Sequence, residues 1–412
     1  MKIAVIGAGI AGLSAAWALR DQGDVVVYEA SDRAGGNIQT EVVDDCLVEW
    51  GPNGFLDNEP ATLRLVDELG LTERLVRVRE AAALRYIWRA GRLRALPTKP
   101  LQFAFGDYLP LAARMRAACE RFIPKGDATF ETVHEFAARR LGEGAASVLI
   151  DALVTGVWAG DAKRLSLKST FPKLHELEAE HGGLMKGAKG RGFGPKGQLT
   201  SFDGGLRVLV DALRARVEIQ YGVDARTLDL DAYDQVILSV PARRAGEILG
   251  GEVSALFGRI ATAPVAVVAS VFDQPLDVPE AFGFLVPRDQ GLRMLGTTYD
   301  TSMFEGRAPD GVRMFRTMLG GRRDPDAVKM DDGAIAELVL SELRQAWGPI
   351  PGPRSVHVFR HLQGIPQYER GHALLLDELT RVCPPHVRLT GSSYRGVALN
   401  KCVREARELC VT

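Results

Sequence analysis

The sequence predicts an α/β chain with an α+β second part: a doubly wound parallel-sheet domain built from both chain ends, a mixed-sheet domain, and an inserted helical region. Three observations carry this reading. The chain opens on strand, glycine turn, helix, strand, and it closes on strand, glycine-bracketed loop, helix. Between them, two-residue alternation recurs over 236–240, 265–272, 282–286 and 313–319, with one long helical pattern over 332–347. No internal repeat is visible.

The opening unit is an apolar strand over 2–6, a helix over 10–21 and a strand over 25–28. Gly7-x-Gly9-x-x-Gly12 joins the first two. Gly7 permits a tight turn, Gly9 lets a pyrophosphate approach the backbone, and Gly12 lets helix and strand pack closely. With Ile10 and Ala11 these residues open a helix whose positive N-terminus faces the phosphates. Glu29, at the end of the second strand, is placed to accept hydrogen bonds from adenosine ribose hydroxyls and to repel a 2′-phosphate. That much suits NAD or FAD. The run Glu29-Ala30-Ser-Asp-Arg33-Ala-Gly35-Gly36-Asn37 favours FAD, because a second glycine pair lets backbone amides and Arg33 reach the other side of the same pyrophosphate. No Cys or His occupies an obvious attachment position, so the flavin is expected to be non-covalent.

A helix is expected over 61–69. A basic stretch over 96–123 follows, broken by Pro97, Pro100 and Pro110, then helices over 130–141 and 145–154. Between 85 and 140 there are 11 Lys/Arg against 5 Asp/Glu, and between 163 and 196 there are 8 against 3. This middle third is a candidate surface for anionic ligands or membranes. Seven glycines and four basic residues over 182–198 read as a loop. The closing strand over 387–390, the loop 391–396 and a helix over 398–409 complete the chain. The expected divisions are 1–84, 198–250 and 380–412 for the nucleotide domain, 85–197 for the inserted helical, membrane-docking region, and 251–379 for the substrate domain.

Composition excludes several classes. A formal net charge of -1 leaves no global field to recruit nucleic acid. The five cysteines are scattered and form no C-x-x-C pair, which argues against zinc or a disulfide framework and for a reducing compartment. His357 and His361 would suit a metal on a helix, but their alternating, β-branched setting predicts a strand and no metal. The apolar N-terminus is cut by Gly7, Gly9 and Gly12, so it reads as a strand, turn and helix and not as a secretory signal. No stretch approaches the roughly 18 uninterrupted apolar residues of a spanning helix. The expected location is cytoplasmic.

The loop Gly391-Ser392-Ser-Tyr-Arg-Gly396-Val397-Ala398-Leu399, together with the double-glycine run, resembles the FAD-containing amine oxidases, in which the last helix begins under the isoalloxazine ring. Further blocks resemble one branch of that superfamily, the protoporphyrinogen oxidases. They are Glu49-Trp-Gly51-Pro52-Asn53-Gly54-Phe55; Thr155-Gly156-Val-Trp-Ala-Gly-Asp161; Ser201-Phe-Asp-Gly-Gly-Leu206; and Gly364-Ile-Pro-Gln-Tyr368. The resemblance implies a Rossmann-type FAD domain, with Gly51, Pro52, Asn53, Gly54, His361, Gly391, Ser392, Val397, Ala398 and Leu399 at the flavin. It implies that Val223 reads adenine with its backbone amide and carbonyl. Arg85 would pair with a propionate of the porphyrinogen, Asn53 and Phe55 would touch substrate, and Leu285, Leu295 and Phe315 would sandwich the tetrapyrrole. Gly156 would lie over the reacting centre.

The implied reaction removes six hydrogens from protoporphyrinogen IX in three hydride-plus-proton steps, with oxygen or another acceptor regenerating the flavin. Peripheral membrane docking through the inserted region is also implied; a homodimer is left open. The sequence departs from the family pattern at Lys401 (usually Asp), Ser392 (usually Asn) and His361 (often Trp). Three other readings stand beside this one: the same chemistry on coproporphyrinogen III, with four propionates; an amine oxidase, for which no flanking aromatic cage is identifiable; and a flavin-binding scaffold without turnover.

Overall fold

In the computed structural model, which describes residues 1–97, 102, 105–187 and 197–409, the two chain ends meet in one five-stranded parallel sheet. Its order is Glu218–Tyr221, Asp24–Glu29, Lys2–Ile6, Gln235–Leu238, Val387–Leu389. After the exposed Lys2 the central strand is apolar because both its faces are covered. Ile3 and Val5 pack under the helices Ile10–Leu19, Arg207–Arg214 and Leu399–Glu408. Ala4 and Ile6 point the other way, into a layer with the helices Ala242–Leu249, Val253–Gly258 and His372–Val382. The chain leaves the central strand first to one side and later to the other. A crevice therefore opens at the carboxyl ends of the strands, where such sheets bind ligands.

The second sheet is mixed and seven-stranded: Ser355–Pro366, Thr262–Phe272, Arg313–Gly320, Gly296–Thr298, Gly283–Leu285, Arg85–Arg89, Arg92–Ala95. One face is sealed by the helix Asp332–Trp347, which buries Ile335, Val339 and Leu343 against Val268, Phe272, Phe284, Phe315 and Leu319. The other face carries Val265, Val267, Ala269, Val271 and Met314 and packs against Trp50 and Ala159. This second face looks toward the nucleotide domain, so parity along each strand decides which side chains can approach a flavin.

Three of the expected divisions are corrected. Residues 85–95 are not part of the helical insertion; they form the hairpin that ends the mixed sheet, with Gly283–Leu285 parallel to Arg85–Ile87. The helix Val253–Gly258 and most of the helix His372–Val382 were expected in the substrate domain. Both belong to the nucleotide domain, because Phe257, Leu375 and Leu379 complete its second layer. The loop expected over 182–198 lies mostly outside the described residues, although Leu184–Gly187 forms a short helical turn.

The insertion is held by buried charge as well as apolar packing. Arg140 on the helix Val133–Leu141 is fully buried and pairs with Glu120 and Glu178, each at most 1% exposed. Arg139 beside it closes on Glu131 and Glu178 at 2.7 and 2.8 Å. Arg92 and Arg94 are both paired with Asp107, and the 11 basic residues between 85 and 140 still outnumber the 5 acidic ones there.

Candidate active site

The nucleotide grip follows from the first turn. Gly7 sits at φ +100°, and a Cβ at Gly12 would lie 2.0 Å from the Gly7 carbonyl oxygen, so packing of turn on helix accounts for both residues. Gly9 is different. A Cβ there meets nothing of the protein within 4 Å, and its φ is -71°. The fold itself does not require glycine at this position, and the open space beside it suits the close approach of a ligand to the backbone. The helix Ile10–Leu19 has no side-chain cap, leaving its first amides for an anion.

Gly35 bridges to Gly9, and a Cβ on Gly36 would come within 3.2 Å of the Gly9 Cα, so the second glycine pair flanks the same point. Arg33 stiffens that turn by donating to the Gly36 carbonyl at 3.0 Å and to Gln39 at 2.8 Å. Ala30, Gly36 and Asn37 are exposed beside it. The Glu29 carboxylate accepts from the Ala8 amide at 2.8 Å and from Ser31, which leaves capacity for a ribose hydroxyl. The Val223 amide is donated to the Glu29 carbonyl at 3.0 Å. This corrects the expectation that the amide reads adenine and leaves the Val223 carbonyl for that role.

Two further segments converge on the crevice. Gly391 packs near Ala11, its Cβ position 3.6 Å from the Ala11 side chain. The loop then runs through Ser392 and Gly396 into the helix Leu399–Glu408, whose N-cap Ala398 is exposed and offers no side-chain cap. Those first-turn amides face outward with the positive end of the helix dipole. The stretch from Trp50 to Gly54 is fixed from the mixed sheet. Arg316 donates to the carbonyls of Glu49 and Gly51, the latter at 3.1 Å, while paired with buried Asp300. His361 holds the Trp50 carbonyl at 2.8 Å, and burial keeps its imidazole pKa below the usual value. Glu49 anchors the same stretch from below: its buried carboxylate accepts from Thr40 and from the Leu206 amide, both at 2.7 Å. Gly205 permits that approach, since a Cβ there would lie 2.7 Å from the carboxylate. Asn53 touches the Met303 sulfur at 3.9 Å. Lys401 packs its stem over Gly396, and burial lowers its pKa.

On the substrate side, Gly156 lies on the helix Asp151–Trp158, where a Cβ would come within 2.9 Å of the Leu285 side chain. Leu153 and Val157 flank it at helical spacing, and both are exposed. Leu285 shares its sheet face with Ile87 and Arg85, two strands of one register. Leu295 lies on this side too, packed near Ala159. Arg85 is exposed as a residue, but the protein crowding its guanidinium lowers its pKa through burial. Its head stacks over Phe282 at 4.7 Å, and it has no ion pair or side-chain hydrogen bond among the described residues.

Two expected substrate contacts are corrected. Phe315 is fully buried on the opposite face of the sheet, against Tyr299 at 5.1 Å and Trp347 at 4.7 Å, beneath the sealing helix. Its neighbour Met318 has the parity that faces the crevice and is half-buried. Phe55 is 4% exposed and packs on Phe202 in the nucleotide-domain core. Arg316 and Met318 are absent from the sequence-based expectations; an arginine in the interior of a largely apolar strand is the available signal for the first.

The chain is similar to known proteins over nearly its whole length. A model of the family described as flavin containing amine oxidoreductase matches residues 10–411. Protoporphyrinogen oxidase of Macaca fascicularis is 32% identical, covering 100% of this chain and 98% of the relative. Coproporphyrinogen III oxidase of Bacillus subtilis (strain 168) is 27% identical, covering 98% and 96%. A crystal structure of an Exiguobacterium sp. 255-15 protein, provisionally named a protoporphyrinogen oxidase, superposes with a TM-score of 0.85 at 25% identity, covering 99% and 97%. The chain belongs to the flavin-containing amine oxidoreductase family and is an oxidoreductase with FAD as its cofactor.

Proposed function

We propose that this protein oxidises protoporphyrinogen IX to protoporphyrin IX. The observation that carries the reading is the pairing of an exposed apolar helix face (Leu153, Gly156, Val157) with an Arg85 guanidinium that has no carboxylate partner among the described residues. An apolar macrocycle bearing carboxylates fits such a surface. The bound flavin supplies the hydride acceptor. Gly156 keeps the helix backbone flush with the substrate plane, Leu285 and Leu295 exclude water, and Arg85 fixes rotation by holding one propionate. No basic side chain of the chain is assigned a proton-transfer role, because pyrrole nitrogens of the substrate can carry protons between meso positions. Oxygen is the proposed final acceptor.

The name of the Bacillus subtilis relative supports coproporphyrinogen III as a second reading. A tetracarboxylate would seek several cations, whereas Arg85 alone is proposed for this role. Oxygen uptake with protoporphyrinogen IX, coproporphyrinogen III and a panel of primary and secondary amines separates the readings. The highest kcat/KM is expected for protoporphyrinogen IX; preference for coproporphyrinogen III or an amine overturns that choice of substrate.

We also propose that the insertion docks on a membrane surface. Phe105 and Phe122 are 82% and 72% exposed, and Leu111, Met115 and Phe130 of the same region are exposed as well. Leu111 and Met115 share one side of the helix Leu111–Ala118, and Arg121 lies over the Phe122 ring. Leu109 of the same stretch is buried, and Leu101 and Phe103 lie outside the described residues. No helix among the described residues is long and apolar enough to cross a membrane. Recovery with anionic vesicles should fall in salt, since a Debye length of about 8 Å screens such attraction at physiological ionic strength. The double variant Phe105→Ser/Phe122→Ser should halve recovery or more; unchanged recovery rules this surface out.

A further inference from the structure

The block Gln367–Tyr368 was noted in sequence only as a family signature, yet it lies between the two halves of the site. Tyr368 is fully buried. Its hydroxyl accepts from the Gly396 amide at 2.8 Å and donates to the Ser392 carbonyl at 2.5 Å. Both partners belong to the loop that leads into the helix Leu399–Glu408. The ring is fixed on both sides: His372 stacks on it at 4.0 Å, and Trp158 meets it edge-on at 4.9 Å. His372 in turn holds the Tyr394 carbonyl at 2.7 Å, a third point of the same loop. On the other side, Gln367 donates to the Trp158 carbonyl at 2.9 Å, at the end of the helix that carries Gly156. Gly160 makes room for this amide, since a Cβ there would lie 2.7 Å from it. The Tyr368 carbonyl also accepts from the Ser166 amide at 2.8 Å.

We propose that Tyr368 is a positioning residue. Its hydroxyl sets the loop 391–396 against the flavin, while Gln367 locks the same short segment to the end of the Gly156 helix, so ring and substrate surface are held in register. The inference rests on the reading that the flavin lies against this loop. It does not require Tyr368 to touch flavin, substrate or any reacting atom. Burial raises the phenol pKa well above its usual value, so the hydroxyl stays protonated and keeps both its donor and its acceptor role.

The test uses Tyr368→Phe, which keeps the ring packed between Trp158 and His372 and removes only the oxygen. Apo-protein is titrated with FAD by fluorescence quenching, and melting points are taken with and without FAD. Two hydrogen bonds to a loop that is ordered around its ligand predict a dissociation constant raised about 5- to 30-fold. The visible bands of the bound flavin shift, and the apo melting point is unchanged. An unaltered dissociation constant with an unaltered flavin spectrum overturns the proposal. So does a variant that fails to fold or melts lower by as much without FAD as with it, because Tyr368 would then be a core tie. Gly9→Val, titrated in parallel, separates this from the cofactor placement: if that variant keeps FAD, the N-terminal grip itself fails and the proposal falls with it.

Discussion

Gly9→Val is expected to yield a folded, colourless protein. A Cβ at Gly9 meets no protein atom within 4 Å and the backbone there is extended, so valine is expected to fit the apo fold. Its methyl groups occupy the path of the pyrophosphate, which must approach the backbone and the uncapped helix amides directly. FAD affinity should fall at least about 100-fold, which corresponds to about 2.8 kcal/mol at 1.4 kcal/mol per tenfold. Without FAD the variant should melt with wild-type apo-protein, and added FAD should stabilise wild type alone. Gly12→Ala provides the contrast. Its methyl would stand 2.0 Å from the Gly7 carbonyl oxygen, so this variant should lose both colour and apo stability. A yellow Gly9→Val protein, measured after gel filtration, would falsify the placement of the pyrophosphate.

Arg85→Ala should retain FAD with an unchanged visible spectrum and turn over protoporphyrinogen poorly. The guanidinium stacks on Phe282 and has no acidic partner among the described residues, so its removal leaves no buried carboxylate behind. What is lost is the hold on a substrate carboxylate. A hydrogen bond to a charged group is worth about 1.5–3 kcal/mol, or a loss of about 10- to 150-fold in kcat/KM. Lys should rescue only part of it, because the two-pronged geometry of the guanidinium is gone. Full esterification of the propionates should erase the difference between wild type and variant. An Arg85→Ala enzyme as active as wild type would make Arg85 a surface residue.

The elements that were legible in the sequence are those whose physics is local. Glycine spacing between an apolar strand and a helix located the turn at Gly7–Gly12, and a 3.6-residue period with an acidic start located the helix Asp332–Trp347, capped by Asp331 on the Ala334 amide at 2.9 Å. Phe315 shows what was not local. Alternation along Arg313–Gly320 puts Phe315 with Thr317 and Leu319, and Met314 with Arg316 and Met318. Both rows are apolar enough to be interior, so the sequence does not say which faces the nucleotide domain. The strand Thr262–Phe272, buried on both faces, has the same ambiguity. Phe55 was misplaced for a related reason: two residues after Asn53 the chain has already turned into the core to pair with Thr200. The hairpin at 85–95 was assigned to the insertion because its arginines read as part of a basic run. Arg89 and Arg92 are in fact partners across its turn, and Arg94 reaches back to the Arg89 carbonyl at 3.1 Å.

The central claim, that protoporphyrinogen delivers its hydrides to the FAD of this chain, is tested most directly by anaerobic titration of the holoenzyme. Protoporphyrinogen IX is added stepwise in the absence of any other acceptor, and flavin absorbance is followed beside porphyrin fluorescence. Loss of six hydrogens to two-electron acceptors requires three flavins reduced for each protoporphyrin released. The account predicts bleaching of the flavin band at that ratio, complete within the mixing time of the titration. A flavin that stays oxidised under protoporphyrinogen but bleaches with an amine would contradict it.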